Sequence, residues 1–595
     1  MKKKTLAFIL AVLMVVGLFT GCAPESQPPD SGDSTPTNTP GTPSATPGGN
    51  DASGDDTEDS PYKFAKGKFE TDERGISTQP YTYEMPLSTT DEVFSCWTTN
   101  YTPQYIPEEG FGSMPLPAYD RELTGVNIEY EIVSTSAIQT NFSVLRASDD
   151  FRDLMCNGAT YYGGLDTDIL TEGYFVNLYD YREYIPNYMY LTVHYDPTDT
   201  DTYDKVFLAD DQVASMWVLY ANPVINGGHT VRADWLDELG MSVDDIVTFD
   251  DLYDVLMAVK TQIPSCEYPF ALPNCIEQLG VYDFSPSYDT QCYVSADRLA
   301  PNFLVDGKVT FSHMNDSDRE FLRELHRFFD AGLITPDWAA YSSANDYRPL
   351  ADEGEVFYYF QTCADTVSAK YTNVDPDCEW VYVNNILRTE DQKLRVGSDV
   401  TRLLPSCCFN ISSKCENIEL LATWCDWFFS EEGGDLWSYG IEGYTWEYDS
   451  NGNRIATELI TNNPDGLSYT WAMCLHAVYM GGMALRFYNK RNFMDPNTGA
   501  DAWAVAEAIL EWNAEHYDKS GHYPAGARLS DDDSDLVNSL SGDVATFMAE
   551  NYMLFITQDR SLDNDWDDYV AELDSIGMGQ IIEAYQRAYD NYIAA

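Results

Sequence analysis

The sequence predicts an α/β protein of two or more lobes, and three observations carry this. The chain has 595 residues, too many for one hydrophobic core. Its hydrophobic content is 44%, with 42 Tyr and 13 Trp, which rules out global disorder. Short apolar runs that read as buried strands recur along the chain, interspersed with capped amphipathic helices.

Charge narrows the function. Against 97 acidic residues stand 34 basic ones, a net charge of −63, so nucleic acid and anionic membrane surfaces are poor partners. A polyuronate is disfavoured for the same reason unless a local basic pocket exists. Most of this charge reads as a solvated, self-repelling surface. The 13 cysteines show no Cys-x-x-Cys and no Cys/His zinc spacing. Cys407, Cys408 and Cys415 cluster, and Cys266 and Cys275 lie close; one or two disulfides and buried free thiols are both open. There is no Gly-x-x-x-x-Gly-Lys, no His-Glu-x-x-His and no Gly-x-Ser-x-Gly, and the seven histidines lack ligand spacing. No catalytic residue, metal or cofactor is expected. A glycosidase carboxylate pair could hide among so many acids.

Residues 1–21 read as a signal peptide. Lys2, Lys3 and Lys4 precede one apolar run over 6–19, too short for a comfortable membrane span. It ends Leu18-Phe19-Thr20-Gly21-Cys22, which resembles a lipobox, with Phe19 where leucine is usual. Cys22 is then the diacylated first residue of the mature chain, and the acyl chains are the only membrane anchor. Residues 22–60 are the lipidated Cys and a tether of Pro, Ser, Thr, Gly and Asp with almost nothing to bury.

The folded part is expected to begin near Tyr81. DEVFSCW, 91–97, reads as a buried strand, and ligands of open α/β sheets sit beyond carboxyl strand ends, so Trp97 is a cleft candidate. A helix ends at Gly125 before a strand over 126–133. DPTDTDTYD, 196–204, is dense in carboxylates but lacks the glycine and terminal glutamate of an EF-hand, so a solvated turn is favoured over calcium. In HTVRADWLDELG, 229–240, a strand is followed by a helix capped by Asp234 and stopped by Gly240. Arg232, at the strand's end, is either a polar ligand contact or half of an ion pair with Asp234 or Asp237. Thr248 caps a helix with Leu252, Val255, Leu256 and Val259 on its apolar face, and Ser317 with Glu320 caps another. EVFYYF, 355–360, is a strand; Phe360 and Gln361 at its end face a ligand. Residues 400–409 return to the first lobe.

Next, Ile418, Leu421, Trp424, Cys425 and Phe428 form a helical stripe, with Ser413 and Glu416 as its capping box. Ser430 caps the short helix after it, and Gly440 ends that helix. Asp449 to Asn453 reads as a hairpin turn around Asn451-Gly452. From Leu467 the chain is mostly helical, and its aromatic and aliphatic spacing is core packing.

The wording WFFSEEGG followed by YGIEGYTW, together with HTVRADWLDELG, Leu333-Ile334-Thr335-Pro336-Asp337 and the C-terminal helices, resembles one family. These are the larger lipoprotein solute-binding proteins of bacterial ABC importers, mostly oligosaccharide binders. The resemblance runs from Tyr81 to the C-terminus. It implies the two-lobed periplasmic-binding-protein-like fold of type II, with lobe 1 over 81–210, lobe 2 over 211–395, a return and hinge over 396–460 and a helical region packed on the lobes over 461–595. It implies Trp446 as a stacking residue, Glu442 as a polar contact, and Trp217 and Tyr220 in the crossing segment. The function it implies is capture of a neutral or amino-bearing oligosaccharide by a monomeric, lipid-anchored receptor on the outer face of the cell membrane, with the permease as partner. The alternatives are a peptide or other small-solute receptor of an importer, or a surface-anchored glycoside-processing enzyme.

Overall fold

The computed structural model describes residues 60–100, 103–134, 137–162, 168–209, 211–220, 227–272, 285–290, 303–341, 344–369, 373–375, 377–395, 402–467, 469–477 and 494–594. The expected signal peptide, Cys22 and the expected tether, residues 1–59, lie outside them.

Two sheets organise the chain. In lobe 1, β1 (Val93–Thr99) pairs in parallel with β2 (Asn127–Val133) and with β3 (Leu154–Cys156). β4 (Met216–Leu219) is its outer strand. Lobe 2 holds β5 (Gly227–Arg232), a hairpin of β6 (Phe303–Val305) and β7 (Lys308–Thr310), then β8 (Tyr358–Thr362) and β9 (Trp380–Tyr382). β10 (Leu403–Ile411) returns to lobe 1, antiparallel between β3 and β4, in the order β2-β1-β3-β10-β4. The lobe 2 sheet is β8-β5-β9, antiparallel throughout. A last hairpin joins β11 (Trp446–Tyr448) to β12 (Arg454–Ala456). β1 buries Cys96, Trp97 and Thr98 in succession because both faces of a mostly parallel sheet are covered.

Each lobe has its own core. That of lobe 1 gathers Phe94, Leu154, Met216, Phe409 and the helix Ile418–Trp427 with its Leu421 and Trp424. That of lobe 2 gathers Leu252 and Leu256, Phe321 and Leu325, and, from the end of the chain, Met548, Tyr552, Tyr569 and Ile581. The C-terminal helices Asp531–Ile556, Trp566–Ile576 and Met578–Ala594 are therefore part of lobe 2's interior. Among the described residues no helix is long and apolar enough to cross a membrane.

Local rules account for several boundaries. Thr248 and Asp251 make a reciprocal capping box at the helix Phe249–Gln262. Ser430 accepts from Gly433 N–H at the start of Glu431–Tyr439. That helix stops at Gly440, whose φ of 78° and ψ of −147° suit glycine alone, and where a Cβ would lie 2.5 Å from Thr445 Oγ1. Other boundaries differ from expectation. Asn417, not Ser413, caps Ile418–Trp427, because Ser413 Oγ is committed to Gly173 O and the chain is still turning at 412–415. Asp234 lies inside the helix Ala233–Leu239 and binds Arg232 instead of capping. The helix expected from Ser317 starts at Asp316, with no side-chain cap. The packed chain begins before Tyr81: Ala65 and Ile76 are fully buried in lobe 1, held by single bridges such as Tyr62 to Ser88 that leave no periodic pattern.

Nine of the cysteines have described side chains; none of the nine is in a disulfide and all are buried. Cys96 and Cys156 touch on adjacent strands, 3.6 Å between sulfurs. Each lobe also buries one aspartate completely. Asp426 accepts from Tyr83 OH (2.8 Å), from Asn187 through both N–H and Nδ2 (3.1 Å each) and from Tyr188 N–H (2.7 Å). Asp318 accepts from the hydroxyls of Thr290 (2.7 Å) and Tyr552. Burial pushes both carboxyls up to about 7, against the pull of these hydrogen bonds.

Candidate functional site

β1 to β4 run parallel, so their carboxyl ends meet at one edge of lobe 1, where ligands of such sheets bind. Asn100 follows β1, Asn157 follows β3 and Tyr220 follows β4. Asn157 adopts φ 61°, a left-handed turn that ends β3 and opens the helix Gly158–Tyr162. It is locked to β10 from both sides: its N–H donates to Cys408 O (2.7 Å) and its Oδ1 accepts from Cys408 N–H (3.0 Å). Where the chain leaves and re-enters lobe 1, Tyr220 N–H donates to Arg402 O (2.6 Å) and Arg402 Nε donates back to Tyr220 O (3.3 Å). The Arg402 guanidinium also lies 3.4 Å from Asp199 and 4.4 Å from the Tyr195 ring centre. These contacts pin the two crossing strands together at their lobe 1 end.

The lobe 2 side of the crossing starts with Gly227 and Gly228, opposite Thr362 and Gln361. A Cβ on Gly227 would lie 2.3 Å from Gln361 O, and one on Gly228 would lie 2.4 Å from the Tyr382 ring. Glycine is needed here for close approach. Gln361 Nε2 donates to Thr230 Oγ1 (2.8 Å), which itself donates to Tyr359 O (2.9 Å). The threonine proton is thus committed, which fixes the amide orientation. Gln361 Oε1 is then a buried acceptor with no partner among the described residues, a state that costs about 1–3 kcal/mol unless something donates to it.

The other expected residues fall as follows. Trp97 is fully buried; its Nε1 donates to Asn141 Oδ1 (2.7 Å), and Phe142 and Tyr161 pack on its ring. Trp217 is buried beneath the Lys205 ammonium, 4.7 Å from its ring centre. Arg232 is fully buried at the end of β5 remote from the crossing, paired with Asp234 (Nε to Oδ1, 2.7 Å) and Asp375 (3.0 Å) and stacked 4.3 Å over Trp235. Phe360 is half-buried beside His229. Glu442 is exposed and bridges to Trp446, whose Nε1 donates to Gly440 O (3.1 Å) and whose ring carries the Arg454 guanidinium at 4.7 Å. The fold brings Phe360 and Gln361 to one edge, Tyr220 to the crossing and Glu442 to Trp446; Arg232 is apart from all of them. Sequence reasoning passed over Asn157, Gly227, Gly228 and Arg402. Asn-Gly straight after a strand and Gly-Gly at a strand's start were the available signals.

The acidic segments are occupied by local bonds. Asp449 Oδ1 accepts from Asn451 and Asn453 N–H (2.8 Å each) and ties the hairpin. Asp196 accepts from Thr198, and Asp199 caps the helix Thr200–Val206. Among the described residues no three His, Cys, Asp or Glu side chains are placed to hold a metal.

Two lobes, each around its own sheet and joined by crossing strands, make up the fold of the two-lobed solute-binding proteins. An HMO-binding, ABC-transporter-associated solute-binding protein from Bifidobacterium longum infantis superposes with a TM-score of 0.67 at 16% identity, over 84% of this chain and 99% of that one. The substrate-binding protein FusA of Streptococcus pneumoniae, solved with kestose, gives 0.63 at 18% identity, over 84% and 100%. The alginate-binding protein AlgQ2 gives 0.62 at 18% identity, over 84% and 99%. In sequence, the chain is 24% identical over 386 residues to the fructooligosaccharide ABC transporter substrate-binding protein FusA of Streptococcus pneumoniae; the match spans 62% of this chain and 66% of that relative. No family model matches the chain.

Proposed function

We propose that the protein is the substrate-binding component of an ABC importer, taking an oligosaccharide between its lobes and handing it unchanged to the membrane permease. Its relative in sequence is named for fructooligosaccharides, and solved structures of its fold are named for HMO binding and kestose. The observation that carries the reading from this chain is the amides among the described residues beside the passage between the lobes. Asn100 and Asn157 follow strands of lobe 1, Gln361 lies near the end of β8, and the Arg402 guanidinium is already engaged with Asp199. Amides exchange hydrogen bonds with hydroxyls, and the half-buried ring of Phe360 offers a sugar an apolar face. A net charge of −63 opposes acidic glycans. Of the eight residues put forward from sequence, Tyr220, Phe360, Gln361, Glu442 and Trp446 remain ligand contacts in this proposal; Trp97, Trp217 and Arg232 support the lobes. Acylation at Cys22 would hold the receptor on the outer face of the membrane as a monomer.

The test is a thermal-shift screen of the chain from Ser60, since a start at Tyr81 would remove Ala65 and Ile76 from the core. Fructooligosaccharides, milk-type glycans, N-glycans, uronates and peptides are compared. Ligand at a hundredfold over its Kd stabilises by about 2.7 kcal/mol. A shift with a neutral glycan recovered intact is expected. Cleaved glycan would indicate an enzyme, and a shift with peptides alone would overturn the sugar.

A further inference from the structure

The helix Thr200–Val206 is anchored in lobe 1, whose core contains Val206 and Phe207. On one side Arg74, from the N-terminal wrap, donates to Tyr203 OH (2.9 Å) and lies 5.7 Å from the centres of both the Tyr203 and Phe207 rings. The carbonyl end of this helix is gripped from lobe 2. Arg528 donates to the main-chain oxygens of Asp204, Phe207 (2.7 Å) and Leu208. Tyr592, in the last helix, donates to Asp204 Oδ2 (3.3 Å). Gly526 closes on the same carboxylate, so that a Cβ there would lie 2.6 Å from Oδ2. Arg528 adjoins Leu529, which packs on the lobe 2 core, as do Tyr523, Tyr585 and Tyr589 around it.

The chemistry of this contact is strong. Carbonyls at a helix end carry the negative pole of the helix dipole and lack intrahelical partners. A guanidinium is a rigid fork that can satisfy several at once. In a chain with 97 acidic and 34 basic residues, a cation spent on main-chain oxygens of the other lobe is a costly allocation unless the contact matters. The gripped helix is tied at its other end to the point where the chain passes between the lobes, Asp199 holding Arg402, and Lys205 lies over Trp217 of β4. Two lobes joined only by the chain passing between them can rotate about that passage; a further side-chain contact from lobe 2 restrains the angle.

We propose that Arg528 and Tyr592 form an interlobe clasp on the end of Thr200–Val206 that fixes the angle between the lobes and restrains the movement by which ligand is captured. The affinity part rests on the receptor reading above; the clasp does not. Apparent affinity scales with the fraction of molecules in the binding-competent arrangement, so loosening the clasp changes it.

The test uses the chain from Ser60 with spin labels on Glu122→Cys in lobe 1 and Glu238→Cys in lobe 2, both exposed; the nine native thiols whose side chains are described are buried, and Cys275, Cys292 and Cys474 are replaced by Ser. Interlobe distances are measured without ligand for the parent, Arg528→Ala, Arg528→Lys and Tyr592→Phe. A broadened distribution is expected, largest for Arg528→Ala, smaller for Arg528→Lys, which keeps charge but loses the fork, and smallest for Tyr592→Phe. Unchanged distributions in the folded variants overturn the clasp. Should Arg528→Ala fail to fold, the other two decide. With a glycan found by the screen, Arg528→Ala should change affinity about fivefold, a typical coupling; unchanged affinity overturns the restraint. Absence of any glycan binding fails the receptor reading alone.

Discussion

The two lobes each bury an aspartate, and they do so differently. Asp426 in lobe 1 faces, on each oxygen, a backbone N–H that cannot turn round, those of Asn187 and Tyr188 at the start of the helix Pro186–Val193, beside the Asn187 amide and Tyr83 OH. Asp318 in lobe 2 faces two hydroxyls, each able to donate or accept. The first arrangement demands an acceptor on both oxygens. The second tolerates a group that donates on one side. Lobe 1 thereby fixes its N-terminal wrap and a helix start through one carboxylate, whereas lobe 2 fixes its C-terminal helix through a contact that can rearrange.

Mutation should sharpen that contrast. Asp426→Asn places an NH₂ against fixed N–H donors and should destabilise lobe 1 by about 2–4 kcal/mol, read by urea denaturation. Next in size is a pH effect. The Asp318 carboxyl, which faces hydroxyls able to accept from it, holds its proton up to about 7 in the fold, but ionises near 4 when unfolded. The folded state therefore binds the proton more tightly, so this stability is fully present below pH 4 and is lost as pH rises from 4 to 7. The melting temperature should be higher at pH 5 than at pH 8, and Asp318→Asn should flatten the part of that slope belonging to lobe 2. At fixed pH 8, Asp318→Asn should cost only about 1 kcal/mol or less, because the hydroxyls of Thr290 and Tyr552 can reorient; a loss as large as that of Asp426→Asn would break the comparison. Thr248→Ala removes the capping box of Phe249–Gln262 and should cost about 1 kcal/mol in lobe 2. Smallest, Arg323→Ala removes an exposed pair with Asp563 (2.8 Å) and should change stability by roughly 0.5 kcal/mol or less.

What could be read from sequence was what short-range physics decides. The stripe of Leu421, Trp424 and Phe428, the Thr248 cap, the Ser430 cap and the stop at Gly440 all depend on residues within a turn or two. The two-lobed α/β architecture followed from strand and helix wording joined to the family resemblance. The site was less legible because its partners are distant in sequence. Arg232 finds Asp375, 143 residues on, and no local rule announces that pair. Trp97 is expected to end its strand, but β1 runs on to Thr99, and Asn141, Phe142 and Tyr161 cover the ring; covering is a tertiary fact. The early start of the fold at Ser60 escaped because single bridges impose no periodicity.

The sealed thiols make the protein its own reporter of opening. Cys96, Cys156 and Cys425 lie in the core of lobe 1 and Cys266 in that of lobe 2, each with almost no accessible surface. A thiol in that position reacts with an alkylating reagent only when the structure around it separates. Burial pushes the Cys266 thiol up to about 12 and those of Cys96 and Cys425 well above the usual thiol range, so reaction in place is further suppressed. Timed alkylation followed by peptide mass mapping would then give a separate clock for each lobe, without adding a single label.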